Sequence, residues 1–280
     1  MKIFYNAKQS CASADSYSPS AGKPALFVAE AQKEFNVEVI ESSAASSRQF
    51  YGAHDKHFVD GVLAGGRENG FGNTLPEVAR SLPYTSGSMV DAALHAFATG
   101  EHVCSPTSGF HHAGYSGASG YCTFNGLMVA AVALRGAGAK SVGILDCDMH
   151  YGNGTDDIIK VIGADYVVHR TFGRLFSDKE DCDDGVFEGW LLGAIRSMKG
   201  CDVILYQAGA DPHVDDPMGR CLTTEQMRLR DGLVFTAFQG KPLAWNLAGG
   251  YQRDADGGIS AVLGLHLNTV AECINARDSS

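Results

Sequence analysis

The apolar positions of this 280-residue chain fall into two spacings. Continuous runs in "VGIL", "DVILY" and "LAWNL" predict strands over 141–145, 202–206 and 243–247, buried on both faces. Residues 1–5 and 37–40 predict two shorter strands. Elsewhere the apolar positions recur every three or four residues. Val90, Ala93, Leu94 and Phe97 predict a helix over 88–99, with Gly100 as its stop. Residues 124–135 predict a nearly all-apolar helix, buried between a sheet and other helices. Residues 23–34, 187–198 and 223–238 predict three more, the last opening with Thr223 and Gln226 at capping-box spacing. The glycine-rich "GGRENGFG" at 65–72 reads as an exposed loop. Alternation of strands with helices implies an α/β fold with a mostly parallel central sheet flanked by helices. The length fits a single domain over 1–280.

In such sheets ligands bind beyond the carboxyl ends of the strands, and here three strands run into polar chemistry. The first runs into "DCDMHYGNGT", placing Asp146, Asp148 and His150 two residues apart, on one side of an extended chain. Charged groups at the end of a buried strand are costly unless something pairs with them. The second strand runs through "QAGAD" to Asp211. Asp148, His150 and Asp211 together make an Asp₂His set that leaves coordination free for water and substrate, the open arrangement of a catalytic Zn²⁺. Taken alone, D-x-D-x-H is as readily a loop of Asx-turns. The third strand runs into "AGGY", where Gly249 and Gly250 allow a sharp turn before Tyr251. A phenol there can donate to a developing oxyanion, although a lone strand-end tyrosine is more commonly a packing aromatic. His111 and His112 adjoin in the Gly/Ser-rich "SGFHHAGYSGASGYCTFN", and imidazole is the side chain best suited to moving protons near pH 7.

Charge and composition then narrow the partners. A net charge of −10 argues against a nucleic-acid surface, which needs clustered Lys and Arg, and suits a cationic substrate. Glu68 in the glycine-rich loop is a candidate cation contact. Eight scattered cysteines without a C-x-x-C pair read as reduced thiols, with Cys122 and Cys147 as small packing residues. No run approaches a membrane span and the N-terminus lacks an apolar signal segment, so the expectation is a cytoplasmic protein with no membrane partner.

"SGFHHAGYSGASGYCTFN", "ILDCDMHYGNGT", "QAGADPHVDDPMG" and "NLAGGY", in this order and approximate spacing, resemble the histone deacetylase and acetylpolyamine amidohydrolase family over roughly residues 50–255. "FYGAHDKHFVDGVL" is similar to its early helical region. The resemblance implies an arginase-like α/β fold and hydrolysis of acetyl-amine amides with one catalytic Zn²⁺. It assigns Asp148, His150 and Asp211 as zinc ligands, and His111, His112 and Tyr251 as catalytic residues. Asp146 is the acid beside His111 and Asn153 the partner of His112. Tyr121, Met218 and Gly249 fall along the substrate channel and acyl pocket. The family also implies a structural K⁺ near the Asp146–His150 backbone, but Val167 stands where a hydroxyl ligand is common. Other departures are "SPTSGF" in place of a Pro-Pro-Gly, Tyr151 in place of a second histidine, and a short chain. Asn153 places the chain nearer the class II-like bacterial branch, since class I carries an acid there.

The leading expectation is a zinc amidohydrolase that removes acetyl or acyl groups from small cationic amines such as acetylpolyamines. The alternative substrate is acetyl-lysine in proteins. A non-catalytic acyl-lysine-binding relative fits less well, because binding alone has no need of a histidine pair with an oxyanion donor. An arginase-like two-metal hydrolase would need bridging acids that are not evident near Asp148. The working metal (Zn²⁺ or Fe²⁺) and assembly into a homo-oligomer, seen in relatives, stay open.

Overall fold

The structure is a computed structural model that describes residues 1–12, 14–176, 182 and 185–278. It is an α/β domain around one sheet of seven parallel strands: β1 (Lys2–Tyr5), β2 (Glu38–Glu41), β3 (His102–Ser108), β4 (Val142–Asp146), β5 (Val167–Thr171), β6 (Val203–Gly209) and β7 (Leu243–Ala248). The order across the sheet is β2-β1-β3-β7-β6-β4-β5. The central strands β4, β6 and β7 are buried at every position, which is why their sequences are continuous apolar runs rather than alternating ones.

The helices are α1 (Lys23–Glu34), α2 (Ser47–Tyr51), α3 (Lys56–Leu63), α4 (Pro76–Thr99), α5 (Gly126–Gly136), α6 (Asn153–Ile162), α7 (Val186–Met198), α8 (Thr224–Ala237) and α9 (Ser260–Asp278). They form two layers. Phe27 of α1, Leu191 of α7, Phe235 of α8 and Val262 of α9 pack in one core with Trp245 of the sheet. Phe50, Phe58, Met89 and Leu127, from α2 to α5, pack in the other with Ile144. The expected helices at 23–34, 124–135, 187–198 and 223–238 are present within about two residues, and Thr223 caps α8 with Gln226 as its reciprocal partner.

α4 starts twelve residues earlier than the periodicity predicts. Pro83 lies inside it and reads in sequence as a breaker. The helix continues because its other side is supported: the Pro83 carbonyl accepts from the Ala45 N–H, and Gly87 lets the 43–45 backbone lie against the helix. Strands β3 and β5 and helices α6 and α9 are likewise absent from the periodicity reading. β3 carries "CSPTS", and β5 mixes His and Arg with Val, so neither shows an apolar run.

The cysteine expectation is corrected. Cys182 and Cys221 are disulfide-bonded, with Cα atoms 5.7 Å apart across 39 residues of sequence. Nothing in their spacing marks them as partners; the fold brings Cys182 against Cys221 in the loop before α8. This pair removes the argument from thiols to a reducing compartment. Cys11, Cys104, Cys122, Cys147, Cys201 and Cys273 are free. Among the described residues no helix is long and apolar enough to cross a membrane.

Candidate active site and metal centre

The carboxyl ends of β4, β6 and β7 meet at one point. β4 ends on Asp146, and the turn after it folds back through Asx-type bonds. The Asp148 N–H donates to Asp146 Oδ1 at 3.2 Å and the His150 N–H to Asp148 Oδ1 at 2.9 Å. Two residues beyond β6, Asp211 accepts the Met149 N–H on Oδ1 at 3.1 Å. His150 Nδ1 lies 3.1 Å from Asp148 Oδ1 and 2.9 Å from Asp211 Oδ2. The three ligand atoms of Asp148, His150 and Asp211 all lie within 4.8 Å of one another. Gly249 makes room for this: a Cβ there would sit 2.2–2.6 Å from the Asp211 carboxylate.

The electrostatics are those of a cation site. Both carboxylates are buried, at 3% and 0% exposure. Burial opposes charge on Asp148, but His111 and His150 override it and hold its carboxyl well below the usual range. Burial and the Asp148 charge raise Asp211 to about 7. Burial also opposes charge on His150, yet the adjacent Asp148 and Asp211 carboxylates lift it to about 11. Asp211 Oδ2 is buried and accepts no well-directed hydrogen bond. Two acids thus crowd one imidazole, and Asp211 Oδ2 beside it lacks a well-directed donor. A divalent cation bound by two carboxylates and an imidazole fits that donor set.

The histidine pair flanks the triad. The His111 and His112 ring centroids are 4.1 Å apart, and those of His112 and His150 5.9 Å. His111 is 2% exposed; its Nδ1 donates to Asp146 Oδ2 at 2.7 Å and its Nε2 is 3.5 Å from Asp148 Oδ1. Burial works against its charge, but Asp146 and Asp148 prevail and raise it to about 9. His112 is half-buried and donates from Nδ1 to the Asn153 amide oxygen at 2.7 Å. Burial and the neighbouring His111 charge push its pKa down. Tyr251 is buried; burial and the Asp211 and Asp148 charges push its phenol far up, so it stays protonated.

The histone deacetylase domain pattern matches residues 23–169, just over half of the chain. The chain belongs to the histone deacetylase domain family. It is 30% identical over 200 residues to acetylpolyamine amidohydrolase 1 of Pseudomonas aeruginosa, covering 62% of this chain and 56% of that protein. It is also 30% identical over 182 residues to histone deacetylase 15 of Arabidopsis thaliana, covering 55% and 33%. The chain thus matches about half or less of these relatives' own length. Its fold is similar to that of a crystal structure of acetylpolyamine aminohydrolase from Burkholderia pseudomallei, with a TM-score of 0.78, 18% identity and 98% of both chains covered. Asp211 and Tyr251 lie beyond the matched stretch.

This histone deacetylase-family site opens past a set of aromatic rings. Tyr121 and Tyr251 have centroids 5.9 Å apart, Tyr17 and Tyr251 6.2 Å, and Phe71 and Tyr121 6.1 Å. Tyr121 has φ 63°, a left-handed conformation that costs a bulky residue energy, and its ring lies near those of Phe71 and Tyr251. Outside Tyr251 lies a depression of about 350 Å³ bordered by Tyr17, Asp215, Gln252 and Arg253. Met218 is 40% exposed on the loop after Asp211. Glu68 is exposed. Val167 pairs with Val142 at the amino end of β5, away from the triad; the hydroxyl that pairs beside Asp146 is Thr171, which accepts the Gly152 N–H at 3.0 Å.

Three residues that the motif reading did not assign complete the site. Lys23 is fully buried and donates from Nζ to the Gly249 carbonyl; burial lowers its pKa to about 8. Asp216 accepts the Tyr251 N–H at 2.7 Å and the Met218 N–H at 2.9 Å, tying the tyrosine turn to the Asp211 loop. Gln207 donates to Asp146 Oδ1 at 2.9 Å and accepts from the Phe110 N–H at 3.0 Å, next to the histidine pair. Gln207 and Asp216 sit within or beside "QAGADPHVDDPMG" and were within reach of the sequence. Lys23 opens an amphipathic helix, where lysine normally faces water.

Proposed function

We propose that this protein is a zinc-dependent amidohydrolase that removes acetyl or similar acyl groups from small cationic amines, with acetylpolyamines as the leading substrate class. The observation that carries the reading is the convergence of an Asp₂His set with two adjacent imidazoles whose partners differ, one an acid and one an amide. Asp148, His150 and Asp211 would hold the ion, which when bound polarises the amide carbonyl and lowers the pKa of a bound water.

His112 is the base. Its Nδ1 proton is committed to Asn153, so Nε2 is the free acceptor, and its lowered pKa keeps it neutral near pH 7. It takes the proton of the attacking water as the oxygen–carbon bond forms. The Tyr251 hydroxyl donates to the oxyanion that develops on the former carbonyl oxygen. His111, held charged by Asp146, stabilises that negative charge. The C–N bond then breaks, and His112 returns its proton to the departing amine, which is otherwise a very poor leaving group. Support for a cationic substrate comes from the net charge of −10 and the 80% exposed Asp215 carboxylate, which Arg253 on the same rim partly offsets.

The test is kcat/KM for acetylputrescine, acetylspermidine, acetylcadaverine and an acetyl-lysine peptide with zinc-loaded protein. A preference of about 100-fold for the free amines, about 2.7 kcal/mol, supports this reading. A preference for the peptide moves the protein to the lysine deacetylases, the reading that the likeness to histone deacetylase 15 favours.

A further inference from the structure

Arg230 is a charge in an expensive place. It belongs to α8, is 1% exposed, and lies beneath the ends of β4 and β6. Its Nε donates to Asp231 Oδ1 at 2.8 Å. Asp231 is completed by the Tyr206 hydroxyl on Oδ1 and the Thr269 hydroxyl on Oδ2, the latter at 2.6 Å. Burying such a pair costs several kcal/mol per ion before pairing, and apolar residues of similar volume often serve stability as well. Stability alone is a poor reason for it.

The guanidinium has a second set of contacts. One terminal nitrogen donates to the Gly209 carbonyl at 2.7 Å and to the Cys147 carbonyl at 3.3 Å. The other has no partner among the described residues. Cys147 directly precedes Asp148, and Gly209 lies two residues before Asp211. The β4–β6 ladder stops here: Asp146 pairs with Gln207, the Cys147 N–H donates to the Gln207 carbonyl, and past that point the two chains part toward their carboxylates. They part from close contact, since a Cβ on Gly209 would lie 2.5 Å from Asp148 Cα. Arg230 thus grips one carbonyl on each side of the fork from which Asp148 and Asp211 emerge.

We propose that Arg230 is a positioning residue for the metal triad: by bridging the Cys147 and Gly209 carbonyls it fixes the separation of the two strand ends, and through it that of the Asp148 and Asp211 carboxylates. The inference rests on the reading that Asp148, His150 and Asp211 hold the metal. Its action is geometric, because Asp231 balances the charge locally. Metal–ligand distances tolerate only about 0.2 Å, so a few tenths of an ångström at the fork is felt as affinity.

The test is zinc affinity, measured by competition with a chromophoric chelator, for the parent, Arg230→Lys and the double variant Arg230→Leu/Asp231→Leu. Lysine keeps the charge but replaces the planar fork with a compact point donor. The double variant removes both charges, so neither is left buried alone. Both are expected to bind zinc about 10- to 100-fold more weakly, with deacetylation at low zinc reduced and recovered by added zinc. Either variant with parental circular dichroism, a parental urea midpoint and parental zinc affinity overturns the proposal; if the double variant does not fold, Arg230→Lys decides. Asp148→Ala and Asp211→Ala run alongside. If they bind zinc as the parent does, the triad reading itself fails. If they lose zinc while the Arg230 variants do not, only the role of Arg230 falls.

Discussion

His111 and His112 are consecutive residues of one loop, yet the loop's two sides give them opposite characters. His111 faces inward, 2% exposed, against the buried carboxylate of Asp146, and its pKa rises to about 9. His112 faces the opening, its partner Asn153 is neutral, and its pKa falls. The ring is the same and both bonds are 2.7 Å long. What differs is whether the acceptor carries a charge to repay the desolvation of an imidazolium. A neutral imidazole and a charged one can therefore sit 4.1 Å apart.

Removing the proposed base should have the largest effect. His112→Ala is expected to lower kcat by about 10²- to 10⁴-fold with zinc content retained; near-full activity would sink the assignment. Tyr251→Phe removes the oxyanion donor and is expected to cost about 10²- to 10³-fold in kcat, again with zinc bound and with KM changed far less than kcat.

Smaller effects come from making the two histidines alike. In Asp146→Asn, His111 loses the strongest force that holds it charged. Its pKa falls from about 9, so the alkaline limb of kcat/KM moves to lower pH. In Asn153→Asp, an added carboxylate favours imidazolium at His112. The base then stays protonated to higher pH, and the acid limb moves upward while activity well above that limb is largely retained. If neither limb moves in either variant, partner charge is not what separates the two roles.

The smallest effect on rate, and one on stability, concerns a third histidine. His54 donates from Nδ1 to the Gly114 carbonyl and accepts the Asn125 N–H on Nε2, both at 2.9 Å, so it fits only as the neutral ring. Burial lowers its pKa to about 4 from 6.5. The unfolded chain therefore binds the extra proton first. The stabilisation is complete above about pH 6.5 and is lost as pH falls toward 4, about 3 kcal/mol in all. Urea midpoints at pH 7 and pH 5 should differ more in the parent than in His54→Gln.

The fold and much of the site are legible in sequence where one residue type has one plausible reason to be present. Buried parallel strands must be apolar throughout, so 141–145, 202–206 and 243–247 stand out, and the acids that end them stand out by contrast. β3 and β5 do not, because "CSPTS" and "VVHRT" interrupt the apolar run with polar residues, some of which bond neighbours distant in sequence. Ser105, for example, lies 2.7 Å from the Ser88 hydroxyl of α4. Lys23 and Arg230 escape the pattern for the same reason: long cationic side chains normally mark solvated helix faces, and only the packed neighbours reveal that these two end on strand-terminal carbonyls.

By itself, the sequence determined the parallel α/β architecture, the family and the candidate chemistry at three strand ends, because periodicity and motif spacing are local properties of the chain. The tertiary structure alone decided which cysteines pair, which buried cations grip the strand ends, and which of two adjacent imidazoles keeps its proton. Those outcomes depend on burial and on charges brought close from distant parts of the chain, and neither is written in any local stretch.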